Sequence, residues 1–132
     1  MEVDNYCFCC GRDNPRGMKL DIRSGEDGEV YTLYTPPAEF QGYQGVVHGG
    51  ILATLMDEIM AHALLRRGMG SAATARMEVV FRHPARTGVE LRICGRVEDV
   101  SGRRITTTAV IADADGRRLA EARALFLRIL RN

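Results

Sequence analysis

The sequence predicts an α+β domain in which one antiparallel sheet wraps a single long helix. Three observations carry this. A mostly apolar stretch from Gly49 to Arg67 has helix-type ends. Two β-like segments precede it, and four more follow it, joined by short glycine-bearing turns. A sheet with one apolar face and a helix that is apolar over most of its circumference satisfy each other when the sheet curls round the helix.

The elements follow in order. Met18-Lys19-Leu20-Asp21-Ile22-Arg23 alternates apolar and charged residues, as a half-buried strand does, after turn chemistry at Asp13-Asn14-Pro15-Arg16-Gly17. Val30–Thr35 has the β-branched and aromatic content of a second strand, ended by Pro36-Pro37. A glycine-punctuated loop, 38–47, leads into the helix, and Gly68 is its stop. Ala73–Arg82, Val89–Val100, Arg104–Ala112 and Arg118–Ile129 then read as a four-strand meander, with turns at Ser101-Gly102 and Asp115-Gly116.

The bulk numbers fit this reading. A chain of 132 residues, 45% hydrophobic and 27% charged, suits one domain, 1–132, with one core. No apolar run approaches the ~18 residues of a membrane span. The acidic start Met1–Tyr6 lacks a signal-peptide profile, so a cytoplasmic protein is expected. The net charge of +1 hides an asymmetry: residues 1–62 carry ten acids against four bases, the remainder seven acids against fourteen arginines. Those arginines are dispersed along strands with few aromatics between them, which argues against nucleic acid as partner.

The chemistry concentrates at Val47-His48-Gly49-Gly50 and at Asp57-Glu58, two turns further along the helix. A helix N-terminus offers unpaired N–H groups and a positive dipole end to a developing negative charge. A carboxylate on an apolar helix is costly unless paired, solvated or used. Gly50, Ala53, Thr54, Asp57 and Ala61 share one face, and these small residues leave room beside Asp57, as in a channel wall. An electrophile-polarising end and a base or nucleophile are the parts that acyl transfer needs. Glu58, ~100° round the helix, is expected in a salt bridge, for example to an arginine. His48 suits an orienting or capping role at the helix entrance better than proton transfer, and His62 a packed one.

Among the four cysteines, Cys7 and Cys10 form one C-x-x-C, half of a zinc site; any metal would need Cys94 or a distant His. A tight apolar turn, with no metal and no cofactor, is the expectation, ahead of zinc or a redox disulfide.

Three segments together resemble a known family. They are Cys7–Gly17, Val47-His48-Gly49-Gly50 with Asp57 seven residues after Gly50, and Phe81–Gly88. The chain is similar throughout to the hotdog-fold acyl-CoA thioesterases of the phenylacetic-acid-pathway and human thioesterase superfamily type. That resemblance implies an acyl-CoA substrate. It implies that the Gly49 N–H binds the thioester oxygen, that Gly50 allows close approach, and that Asp57 attacks the thioester or activates water. Thr74 falls where relatives carry a Ser or Thr that orients the water. Where some relatives have an Asn six residues before the His, this chain has Gly42, with Gln41 and Gln44 as nearby amides. Arg82, His83, Arg86, Arg103 and Arg104 are candidates for coenzyme A phosphates.

A distance argument adds an assembly. Gly49 and Asp57 are ~12 Å apart along one helix at ~1.5 Å per residue, whereas nucleophile and oxyanion donor must both lie ~3 Å from the reacting group. Two antiparallel helices across a dimer interface solve this, so a homodimer with shared sites is expected, pairing further into a dimer of dimers. The expected activity is acyl-CoA thioester hydrolysis; a hotdog hydratase or dehydratase and a non-catalytic acyl-CoA-binding module are its rivals.

Overall fold

The computed structural model describes residues 5–129, so the reading of Met1–Asp4 as part of an acidic, leaderless start lies outside the described residues. The strands are β1 (Arg23–Ser24), β2 (Val30–Tyr34), β3 (Ala72–Phe81), β4 (Leu91–Ser101), β5 (Arg104–Ala112) and β6 (Arg118–Arg128), and the helix α1 is Gly49–Leu65. All six strands form one antiparallel sheet in the order β1-β2-β4-β5-β6-β3. The sheet curls round α1, which touches every strand from β2 to β6.

The helix is built as its sequence requires. His48 caps it: the carbonyl accepts from the N–H groups of Ile51 and Leu52, while Nδ1 accepts from the Gly50 N–H at 2.9 Å. At the other end, the Gly68 N–H bonds to the Leu65 carbonyl and the Met69 N–H to that of Leu64. This closing turn needs the φ of +73° that Gly68 adopts without strain. Leu55, Met56, Ile59, Met60 and Leu64 are at most 2% exposed. Burying each stabilises the fold by about 1.5–3 kcal/mol. The helix comes so close to β4 that a Cβ on Gly95 would lie 2.9 Å from Ile59 Cγ2 and 3.1 Å from its carbonyl oxygen. The opposite stripe, including Ala53, Thr54, Asp57 and Ala61, is only half-buried. One chain thus leaves open the face that the composition of the helix had marked as enclosed.

Two strand expectations are corrected. The last four strands are not a simple meander, because β3 pairs with β6 at the far edge of the sheet and not with β4. The flanks of β4 are occupied by β2 and β5, and β3 takes the outer edge of β6. The alternation from Met18 to Arg23 is real, with Met18 and Leu20 buried, but it is not a strand along its length. Lys19 has a φ of 54°, and the N–H groups of Met18 and Leu20 bond to the carbonyls of Phe8 and Cys9, each at 2.9 Å. The segment therefore docks on the cysteine turn, and only Arg23–Ser24 joins the sheet.

Candidate active site

Asp57 projects from the half-buried stripe of α1, and its Oδ1 accepts a 2.8 Å hydrogen bond from Thr74 Oγ1 on β3. A β-bulge makes this contact. Thr74 pairs with Phe126 and Arg76 with Leu125, so Ala75 is an extra residue on the β3 side. Paired residues share a sheet face. Thr74 thus lies on the face of buried Phe126, towards the helix, as Met77 does opposite Ala124. Without the bulge, strict alternation from Met77 would turn Thr74 to the outer face.

At the helix start, the two glycines differ. The Gly50 N–H is taken by His48 Nδ1, whereas the Gly49 N–H has no acceptor among the described residues. Phe81, at the end of β3, covers Gly49 so closely that a Cβ there would lie 3.3 Å from Cζ of the ring. Gly42 packs behind the cap, where a Cβ would be 3.4 Å from the Cα of His48. Gln41 Oε1 accepts from the Gly45 N–H at 3.0 Å and shapes the entry loop; Gln44 is exposed.

The basic candidates separate. Arg82 forms two hydrogen bonds to Glu121, at 3.0 and 3.2 Å. These hold the guanidinium above, and the carboxyl below, their usual ranges. Glu121 lines an outer-face groove of about 620 Å³ with Val80, Cys94, Thr108 and Arg118. Gly49, Asp57 and Thr74 do not line that groove, so Arg82 is directed away from the carboxylate and the helix mouth. His83 Nδ1 sits 2.8 Å from Arg117 Nη2, a partnership the sequence did not reveal. Arg86 is exposed on a segment that docks against the helix entry: the Val47 N–H bonds to the Ala85 carbonyl, and Val46 bridges to Arg86.

Glu58 has a different neighbourhood, and its partner is not an arginine. Its Oε2 lies 3.5 Å from Cys7 Sγ and 3.5 Å from His62 Nε2. The His62 contact lacks hydrogen-bond alignment, and Nε2 itself is buried with no hydrogen-bond partner. Burial pushes the Glu58 carboxyl up, but His62 and the Cys10 thiol outweigh it and hold the group below the usual carboxylate range. Burial, reinforced by the Glu58 charge, pushes Cys9 up to about 12. The Cys7, Cys10 and Glu58 ligand atoms all lie within 4.8 Å of one another, which makes them candidates to hold a metal ion. Cys94, the partner the sequence offered for such a site, instead lies beside Arg92 and Glu29.

A six-stranded antiparallel sheet curled round one helix, with its polar chemistry at the helix mouth and on the open stripe, defines a hotdog domain. Residues 44–120, more than half of the chain, match the thioesterase superfamily, and the chain belongs to that family. Among relatives, it is 31% identical over 98 residues to the acyl-coenzyme A thioesterase THEM4 of Xenopus laevis, a match covering 74% of this chain and 44% of that protein. The chain thus spans less than half the length of that relative. Among solved structures, a thioesterase superfamily protein superposes with a TM-score of 0.88 at 28% identity, covering 93% of this chain and 60% of the other. The E. coli PaaI protein of the phenylacetic acid degradation operon gives 0.78 at 23%, covering 86% and 81%. A Streptococcus mutans protein bound to acetyl-CoA gives 0.73 at 21%, covering 82% and 86%. Both of these share the fold. No described helix is long and apolar enough to cross a membrane.

Proposed function

We propose that the chain hydrolyses acyl-CoA thioesters at sites shared between two copies, each site using Asp57 of one protomer and the Gly49 N–H of the other. The observation that carries this is the Thr74–Asp57 hydrogen bond on the open stripe of α1. It fixes a carboxylate towards the side that a second copy would cover. The unpaired Gly49 N–H supplies the other half of the chemistry, ~12 Å along the same helix by the helical rise. Two antiparallel helices bring these halves together; one does not. The family and the THEM4 relative support thioesters as substrates, and the acetyl-CoA-bound neighbour supports coenzyme A as the carrier.

In the reaction, the Gly49 N–H at the positive end of α1 stabilises the oxygen of the thioester carbonyl as it gains charge. Asp57 takes a proton from water as the water oxygen bonds to the carbonyl carbon. Thr74 uses its hydroxyl proton on Asp57, leaving its oxygen free to accept the second water hydrogen. Collapse of the tetrahedral intermediate breaks the C–S bond, and the thiolate leaves without a strong general acid because its pKa is low. Direct attack by Asp57, through a mixed anhydride that water then opens, uses the same groups. His48 caps the helix through Nδ1, which disfavours the hydratase reading that would need a catalytic His. Arg86, beside the helix entry, is the basic residue proposed to meet the coenzyme A phosphates.

A panel of acyl-CoA substrates read by thiol release tests this with wild type and Asp57→Ala. Thiol release that depends on Asp57 is expected. Hydration without thiol release, or binding alone, replaces the proposal with the corresponding rival.

A further inference from the structure

We infer that Cys7, Cys10, Glu58 and His62 form a structural zinc site that staples the N-terminal segment to helix α1, on a different side of the helix from Asp57. The first support is convergence from distant parts of the chain. Glu58 and His62 are one turn apart on α1, so their side chains rise from the same face. Across from them, residues 7–11 form a tight turn closed by a 2.9 Å bond from the Gly11 N–H to the Cys7 carbonyl. Only glycine fits at position 11, since a Cβ would collide with the backbone of Asn5 and Cys7. This turn brings the Cys7 and Cys10 sulfurs and a Glu58 oxygen within 4.8 Å of one another.

The second support is dimensional. Four donors ~2.0–2.3 Å from a tetrahedral zinc ion lie ~3.3–3.8 Å from one another. The contacts from Glu58 Oε2 to Cys7 Sγ and to His62 Nε2, both 3.5 Å, are edges of that length. The third is an unmet need. His62 Nε2 is a buried ring nitrogen with no hydrogen-bond partner. It stands 3.5 Å from Glu58 Oε2, outside the 4.8 Å group of Cys7, Cys10 and Glu58, so it becomes the fourth ligand by a shift of its ring towards the sulfurs. Such atoms are rare in folded proteins without a ligand to satisfy them. Among the described residues, no Lys or Arg pairs with any of the four.

The donor set selects the metal. Two sulfurs and an imidazole suit zinc and exclude magnesium and calcium, which take oxygen ligands. Zinc would take the two cysteines as thiolates, displacing their protons, and the imidazole through an unprotonated ring nitrogen. All four positions come from protein, so no site is left for a substrate and the role is structural. The need for a staple is visible in the segment itself. Residues 5–20 contain no strand or helix, and their buried anchors are Cys9, Gly11, Met18 and Leu20.

The test uses the intact chain, stripped of metal under reducing conditions and titrated with ZnCl2 and, separately, CoCl2. We expect one zinc per chain and a cobalt spectrum with thiolate charge-transfer bands and the intense d–d bands of a tetrahedral site. Zinc should raise Tm, and Cys7→Ser, Cys10→Ser and His62→Ala should each lose the metal, whereas Cys94→Ser keeps it. The spectrum of the wild type decides the matter even if a variant fails to fold. Substoichiometric uptake, a cobalt spectrum without thiolate bands, or metal loss in Cys94→Ser equal to that in Cys7→Ser overturns the site.

Discussion

Asp57 and Glu58 are adjacent in sequence, carry the same functional group and leave the same helix, yet they occupy different chemical settings. Asp57 stands on the half-buried stripe with a single hydroxyl donor, Thr74. Glu58 stands under the cysteine turn, among two thiols and an imidazole. One residue step turns a side chain by ~100° on a helix, and here that step separates a face left half-open from a face covered by the N-terminal segment of the same chain. The contrast teaches that a carboxylate's role on a helix is set by what the neighbouring elements present to it. A solvated carboxylate fixed by one hydroxyl is free to act on a substrate. A carboxylate enclosed by further ligating groups is already committed to them.

The sharpest way to break this contrast is to remove each carboxylate. Asp57→Ala should lower kcat by about 10²–10⁴-fold, the range for loss of a general base. Tm should barely move, because among the described residues the Asp57 side chain makes one hydrogen bond, to Thr74, and no ion pair. Glu58→Gln should do the reverse, lowering Tm more than Asp57→Ala does and kcat far less. Thiol release and thermal melts on both variants give the ranking; the opposite ranking reverses the assignment of the two faces.

The next effect concerns the other end of the helix. Gly49 is the first residue of α1, a position where proline is well tolerated, and His48 at φ −59°, ψ 135° already has a pre-proline conformation. Gly49→Pro therefore removes the N–H while keeping the helix, with the Phe81 ring yielding a few tenths of an ångström to the added Cβ, and kcat should fall by about 10²–10³-fold. Gly49→Ala keeps the N–H and should cost far less. Mixing Gly49→Pro with Asp57→Ala chains gives heterodimers with one intact and one doubly damaged site, so about a quarter of wild-type activity should return after random exchange. No recovery on verified exchange would mean that both groups act within one chain.

Much of this arrangement was legible in the sequence, and the gaps have physical causes. The bounds of β5 and the start of α1 coincide with the sequence reading, because turn residues and a capping His mark them locally. The place of β3 beside β6 was not legible, since periodicity finds strands but not their neighbours. Residues 18–22 misled because alternation records a half-buried segment whatever its partner is. Asp57 stood out through the small residues around it, whereas Thr74 entered only through family resemblance; the bulge at Ala75 that aims it has no periodic signal. The Glu58–His62 spacing was visible all along. What hid the cluster was its other half, more than 45 residues away in the chain, which only the fold brings near.

Thr74 should give a smaller effect than either carboxylate or the Gly49 N–H. Losing one hydrogen bond to an ionised group is worth about 1.5–3 kcal/mol at most, so Thr74→Ala should lower kcat by roughly tenfold, with Thr74→Ser restoring it. Rescue by Thr74→Ser separates positioning from mere packing: serine keeps the hydroxyl and loses only the methyl, so activity that returns with it depends on the hydrogen bond to Asp57.

The smallest effect compares two arginines four residues apart. Arg82 is engaged by Glu121 and directed away from the helix mouth, so Arg82→Ala should leave KM and kcat unchanged. Arg86 is exposed next to the helix entry. An exposed ion pair contributes about 0.2–1 kcal/mol, so Arg86→Ala should raise KM for acyl-CoA by no more than about fivefold, with kcat unchanged. The increase should shrink as ionic strength rises, because solvent-exposed charges are screened by salt. It should also vanish with a truncated thioester that lacks the nucleotide phosphates. An unchanged KM for acyl-CoA in Arg86→Ala, or an equal increase in Arg82→Ala, would remove the coenzyme A phosphates from the helix mouth. The carboxylate and the Gly49 N–H would then have to be reached from another direction.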